Sequence, residues 1–160
     1  MTRILVPVDG SEAALNALRH AMAVGTDIEI INVQPKADIP ALLLHMTQSD
    51  IDKVQQEHGE SMLAGARKVL DEAGRTYRAH VLIGEPAAKI VRAAKSRGAD
   101  LIVMGTRGMT AIGNLALGST ATKVVHLSDV PVTLVNERCV PGGAHLKASN
   151  RFLGQTGSRQ

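Results

Sequence analysis

The chain has 160 residues, 44% hydrophobic and 21% charged, with one cysteine and a formal net charge of +3. That size and balance suit one domain with its own core, and they exclude a disulfide-stapled scaffold, since Cys139 has no partner. No apolar run approaches the roughly 20 residues of a membrane helix, and no basic-then-apolar leader precedes the first strand-like run, so no membrane attachment and a cytoplasmic location are expected.

The charge is unevenly placed. Arg138, Lys147, Arg151 and Arg159 against Glu137 put the net +3 in the tail and leave the body balanced. A balanced body argues against a nucleic-acid surface, and one Tyr, one Phe and no Trp argue against a base-stacking platform.

In chain order, Arg3–Val8 is a short apolar run of the kind a strand covered on both faces requires. Asp9 or Ser11 can cap the next segment, where Ala14, Leu15, Leu18 and Met22 recur at helical spacing and Gly25 takes the place of a C′ glycine. Ile28–Val33 is β-branched and reads as a second strand. After a connection with Pro35 and Pro40, a long helix starts near Thr47–Asp50, capped by Thr47 or Ser49, and runs to Ala73 with Gly74 ending it. Gly59 and Gly65 weaken that helix by about 1 kcal/mol each relative to Ala.

Tyr77–Ile83 is a third strand. Pro86 stands at the favoured first position of a helix that ends at Gly98. Leu101–Met104 is a fourth strand, Gly105–Gly118 a glycine-bearing loop, Ser119–Leu127 a helix and Val132–Val135 a last strand. This β-α alternation implies an α/β fold, a single-domain open parallel sheet of five strands with helices on both faces. Ligands of such sheets bind beyond the carboxyl ends of the strands where strand order reverses, which directs attention to Pro7–Ser11 and Met104–Gly108. The domain spans 1–136. Residues 137–160 lose the pattern and read as a flexible basic tail.

The chemistry concentrates in GTRGMTAIGNLALGST, residues 105–120. Gly105 and Gly108 can take positive φ and let backbone amides approach an anion. Gly118, Ser119 and Thr120 place free amides and two hydroxyls at a helix N-terminus, where the helix dipole favours negative charge. Arg107 adds a cation able to pair with phosphate. The competing account is a plain connection in which Ser119 caps a helix. Met104 is equally readable as core filler, Arg107 as a solvated loop charge, and Asp9 as a helix cap or as an acceptor for a sugar hydroxyl. No G-x-x-x-x-G-K-[ST] is present, and no G-x-G-x-x-G follows the first strand. His20, His45, His58, His80, His126 and His145 are scattered and read as surface or capping residues. Lys123 reads as a solvent-facing lysine.

The spacing of Gly105, Gly108, Gly118 and Ser119 matches G-x-x-G, nine residues, G-[ST], and resembles the nucleotide signature of the universal stress protein family. ILVPVDGSEAA, GEPAAKIVRAAKSRGADLIVMGTRG and LGSTATKVVHLSDVPVTLV are similar to that family's segments in order, from Thr2 to Asn136. The resemblance implies a Rossmann-like, adenine nucleotide alpha hydrolase-like sheet and a homodimer. It also implies ATP, AMP or another adenosine nucleotide as ligand, with Mg2+ or Mn2+ held through the phosphates. By position it implies Pro7, Val8 and Asp9 at adenine and ribose, and Val33 at adenine through its backbone. Met104, Gly105, Arg107 and Gly108 would line ribose and phosphates, and Gly118, Ser119 and Thr120 would hold the phosphates.

Three functions compete: an ATP-binding stress-response or signalling module, a slow ATPase or related hydrolase, and a structural dimer with a non-functional pocket. The sequence favours the first, since no Walker lysine, clear general base or arginine finger stands out. The apolar edge strand Val132–Val135 is the expected dimer seam.

Overall fold

A computed structural model describes residues 1–36, 47–108 and 117–136. The expectations for His45, Cys139, His145, the stretch 109–116 and the tail 137–160 lie outside the described residues. The elements alternate as β1 (Arg3–Pro7), α1 (Glu12–Val24), β2 (Asp27–Gln34), α2 (Gln48–Glu72), β3 (Tyr77–Ile83), α3 (Pro86–Ser96), β4 (Leu101–Gly105), α4 (Ser119–Leu127) and β5 (Val132–Val135).

All five strands are parallel in the order β3-β2-β1-β4-β5. Strand β1 is central, with Ile4 beside Ile28 on one flank and Leu101 on the other. A central parallel strand needs apolar side chains on both faces, and Ile4, Leu5 and Val6 supply them. Ile4 and Val6 meet Leu18 of α1 and Leu63 and Leu70 of α2. Leu5 points the other way, with Ile31, Ile102 and Met104, toward Ile90 of α3 and Val124 of α4. Helices therefore cover both faces of the sheet. Strand order reverses at β1, between β2 and β4, and the crevice this creates positions the site.

The local signals resolve as follows. Ser11, not Asp9, caps α1, its hydroxyl accepting from the Ala14 amide. Thr47 and Asp50 form a reciprocal capping box at the start of α2. Gly74 and Gly98 carry the positive φ of helix ends. Gly25 does not: its backbone is extended, and it caps α1 without a left-handed turn. A Cβ there would stand 2.4 Å from Ile4 Cδ1, so Gly25 is required by space. Gly59 has the same explanation, since a Cβ would meet Val81 Cγ1 at 2.3 Å. The helix gives up propensity there to lie close on the sheet.

At the amino end of the sheet lies a buried acid that the apolar reading of β2 passed over. Glu29 is 2% exposed and pairs with Arg97 and with Arg78 at 3.3 Å, with His80 at 3.4 Å. A buried carboxylate persists only when paired in this way. Strand β5 is hydrogen-bonded to β4 alone among the described strands and forms one edge of the sheet. No helix among the described residues is long and apolar enough to cross a membrane.

Candidate nucleotide site

A cavity of about 360 Å³ opens at the carboxyl ends of β1 and β4. Pro7, Val8 and Asp9 reach it from the end of β1, and Val33 reaches it from β2. Met104, Gly105, Arg107 and Gly108 reach it from β4 and the turn beyond, and Gly118, Ser119 and Thr120 from the start of α4. Every residue singled out from the sequence for this site lines that one cavity. Residues 7–9 and 104–108 are far apart in the chain and meet because β4 pairs with β1.

Asp9 is built into the first turn. Its Oδ1 accepts from the Ser11 amide at 3.0 Å and from the Ser11 hydroxyl at 2.6 Å. Ser11 Oγ accepts in turn from Ala14 N at 3.2 Å. Capping therefore falls to Ser11, and Asp9 is held behind the cap, facing the cavity. Gly10, between them, has φ +84, a left-handed conformation that favours glycine.

The reason for the signature glycines differs from the expectation. Gly105, Gly108 and Gly118 are not at positive φ. Gly105 and Gly108 are fixed by crowding, while a side chain at Gly118 would be a tight fit that a small shift relieves. A Cβ on Gly105 would lie 2.9 Å from Ala13 Cβ, and one on Gly108 would lie 2.4 Å from Asp9 Oδ2. The β4 turn thus passes directly over the Asp9 carboxylate. A Cβ on Gly118 would lie 3.3 Å from the Thr106 carbonyl.

The Gly118 amide is not free for an anion, because it donates to Thr106 O at 2.7 Å. Nor does Ser119 cap α4: the N-cap is Gly118, with no side-chain cap, and Ser119 is the first helical residue. The first intrahelical bond runs from Thr122 N to Gly118 O at 2.9 Å. The amides of Ser119, Thr120 and Ala121 thus have no acceptor within the helix, as helix geometry dictates. No acidic side chain occupies this first turn, so no helix-borne carboxylate offsets the positive end of the dipole. Met104 is 6% exposed in the core and also lines the cavity.

Lys123 does not line the cavity. Its Nζ lies 3.3 Å from Glu85 Oε1. Glu85 also caps α3, and the Ala88 amide, then Lys123, hold its carboxyl below the usual range. Among the described residues no three His, Cys, Asp or Glu side chains converge on a metal position.

Sequence reasoning took in Thr106 and Leu117 only as part of the stretch 105–120, and it did not single out Asn32, Pro86, Ile90 or Ala121 in the lining. For Asn32 a cue existed: an amide side chain within the β-branched run IEIINV must find partners if buried. The others are small or apolar, and nothing in their local pattern marks them.

A family model described as the universal stress protein family matches residues 1–136. The chain belongs to the universal stress protein family. Universal stress protein MJ0531 of Methanocaldococcus jannaschii is 32% identical over 142 residues, covering 84% of this chain and 82% of the relative. Among solved structures, that of MJ0577 superposes with a TM-score of 0.73 at 27% identity, covering 84% of this chain and 95% of the other. The universal stress protein from Archaeoglobus fulgidus in complex with dAMP shares the fold, with a TM-score of 0.59 at 23% identity, covering 84% and 98%.

Proposed function

We propose that this chain is an ATP-binding stress-response or signalling module whose output is conformation or partner choice rather than turnover. One observation carries the reading: the uncapped N-terminus of α4 and Asp9 line the same cavity, with the Gly108 turn between them. Such a site suits a ligand with a sugar at one end and phosphates at the other. Phosphate suits the helix end, where amides and dipole favour an anion. A sugar suits Asp9, because a carboxylate accepts from hydroxyls and repels phosphate.

In this reading Pro7, Val8 and Val33 border adenine, and Asp9 takes the ribose. Met104, Gly105, Arg107 and Gly108 line ribose and phosphates. Ser119 and Thr120 hold the phosphates through their amides, while Gly118 serves by its missing side chain. Mg2+ or Mn2+ would be held by the phosphates. The dAMP complex of the Archaeoglobus relative supports an adenine ligand and makes AMP a natural competitor for ATP. Binding is favoured over hydrolysis because the sequence has no P-loop lysine and Lys123, the nearest lysine on α4, is engaged by Glu85. The half-buried edge residues Val132, Thr133 and Leu134 suit antiparallel pairing with a second copy. Sedimentation should then give a dimer at micromolar concentration.

The deciding experiment is identification of nucleotide released from freshly purified protein, with calorimetric titration of ATP and AMP in magnesium. An adenine nucleotide in both assays is the expected result. Absence of any nucleotide together with no heat of binding would refute the reading. Steady ATP turnover well above trace rates, lost in a point variant, would favour the hydrolase instead.

A further inference from the structure

We propose that Gln34 and His58, which lie outside the cavity, are positioning residues for its β1 wall. They would act through a hydrogen-bond relay of fixed polarity that ends on the Val8 carbonyl. The proposal rests on the nucleotide reading only where it concerns ligand affinity.

The relay has three links. Asn32 Nδ2 donates to Val8 O at 2.8 Å. Gln34 Nε2 donates to Asn32 Oδ1 at 2.6 Å. His58 Nδ1 lies 2.9 Å from Gln34 Oε1. Val8 O sets the direction of all three. A carbonyl only accepts, so Asn32 must turn its NH2 toward Val8 and leave Oδ1 for Gln34. Gln34 must then donate and leave Oε1, so the proton between Gln34 and His58 must sit on Nδ1 of the imidazole. Turning any one amide sets two acceptors face to face. Asn32 is 3% and Gln34 9% exposed, so an orphaned amide there is costly.

The relay's far end fixes a functional turn. Val8 also donates from its amide to Ile31 O at 2.7 Å. Held at both its N–H and its C=O, Val8 sets the path of the chain into Asp9. Packing explains how His58 reaches β2 at all. Next to it in α2 is Gly59, where a Cβ would stand 3.1 Å from Asn32 Oδ1 and closer still to Val81. Glycine lets the helix lie on the sheet at that point. Gln55, nearly one turn earlier, adds a bond from Nε2 to Pro35 O at 2.6 Å.

The test uses the whole chain and the variants Gln34→Glu, His58→Leu and His58→Asn. Gln34→Glu keeps the shape of the side chain but, measured at a pH where infrared absorption shows the carboxyl ionised, puts a group that only accepts where the amide donated, so the Asn32 clamp on Val8 must break. His58→Asn keeps a donor close to the position of Nδ1, and His58→Leu removes it. Without ligand, imidazole 15N shifts should place the proton of the neutral ring on Nδ1. The Val8 carbonyl 13C shift should move in Gln34→Glu. It should move less in His58→Leu, where water reaches the exposed end, and return in His58→Asn. With ligand, Gln34→Glu should weaken ATP binding about tenfold, and His58→Asn should bind more tightly than His58→Leu.

A proton on Nε2 of the neutral ring, or an unmoved Val8 carbonyl in Gln34→Glu, overturns the relay. Should Gln34→Glu not fold, the pair of His58 variants decides by the same carbonyl signal. Unchanged ATP affinity in a folded Gln34→Glu whose Val8 signal has moved overturns the role at the site. If the unsubstituted chain binds no adenine nucleotide, the nucleotide reading fails, and the two ligand-free signals still judge the relay.

Discussion

The two walls of the cleft are made of different materials. The β1 wall is a side-chain structure: Asp9 braced by Ser11, Asn32 clamping Val8, and Gln34 and His58 behind Asn32. The α4 wall is a backbone structure: Ser119, Thr120 and Ala121 amides at a helix end, with glycines where side chains would intrude. A backbone wall takes its geometry from the helix and resists substitution except by bulk. A side-chain wall depends on each partner in turn and can be adjusted one residue at a time. The phosphate end of such a site is therefore expected to be generic, and the nucleoside end adjustable.

The largest effect should come from adding bulk to the backbone wall. Gly118→Val keeps an accessible backbone conformation but puts a branched side chain against Thr106 O and the Arg107–Gly108 turn, where the phosphates are proposed to sit. Loss of two charge-assisted hydrogen bonds weakens ATP binding on the order of 100-fold or more. Calorimetry should show that loss with little change in melting temperature, and normal ATP binding by Gly118→Val would put the phosphates elsewhere.

Next comes the seam between the walls. Gly108→Ala places a Cβ against Asp9 Oδ2, so the carboxylate must swing away. Adenosine and ATP affinities should fall by a similar factor of about ten. A loss confined to ATP would assign Gly108 to the phosphate side alone.

Gly59→Ala tests the support of the β1 wall. Overpacking against Val81 costs about 1–3 kcal/mol, and the gain in helix propensity returns up to about 1 kcal/mol. A net loss of stability is expected in urea denaturation. Stabilisation would show that α2 has room to lift off the sheet.

The smallest effect is that of acid. The Arg3 hydrogen bond lowers the Asp27 pKa, the Thr47 hydroxyl lowers that of Asp50, and the Ala88 amide lowers that of Glu85. A depressed folded-state pKa adds stability above the unfolded value, about 4 for carboxylates. That stability disappears as pH falls through the folded values. Melting temperature should be level near neutrality and decline below about pH 4. Thr47→Ala, which removes the hydroxyl part of the Asp50 contribution and leaves the Thr47 amide bond, should flatten part of that decline.

The alternation of strand and helix was legible because burial writes its period directly into β1, β2 and the long face of α2. The location of the cleft was legible for the same reason, since a parallel sheet whose order reverses has one such place. The purpose of the glycines was not. Sequence shows a glycine at 25, 105, 108 or 118, but positive φ and crowding leave the same letter. Only the arrival of Ile4, Ala13, Asp9 and Thr106 distinguishes them. Asn32 and Gln34 were obscured differently. Their meaning depends on His58, brought to them by a helix that is remote in sequence. Glu29 was hidden by the apolar residues around it, its partners Arg78 and Arg97 lying on other elements.

The bond from Gly118 N to Thr106 O has one more effect. It fastens the start of α4 to the end of β4. Both partners are main-chain atoms, so no substitution at Thr106 can delete the acceptor, and at position 118 only proline would delete the donor. The seat of the helix end is thus written into the backbone, beyond the reach of most point changes.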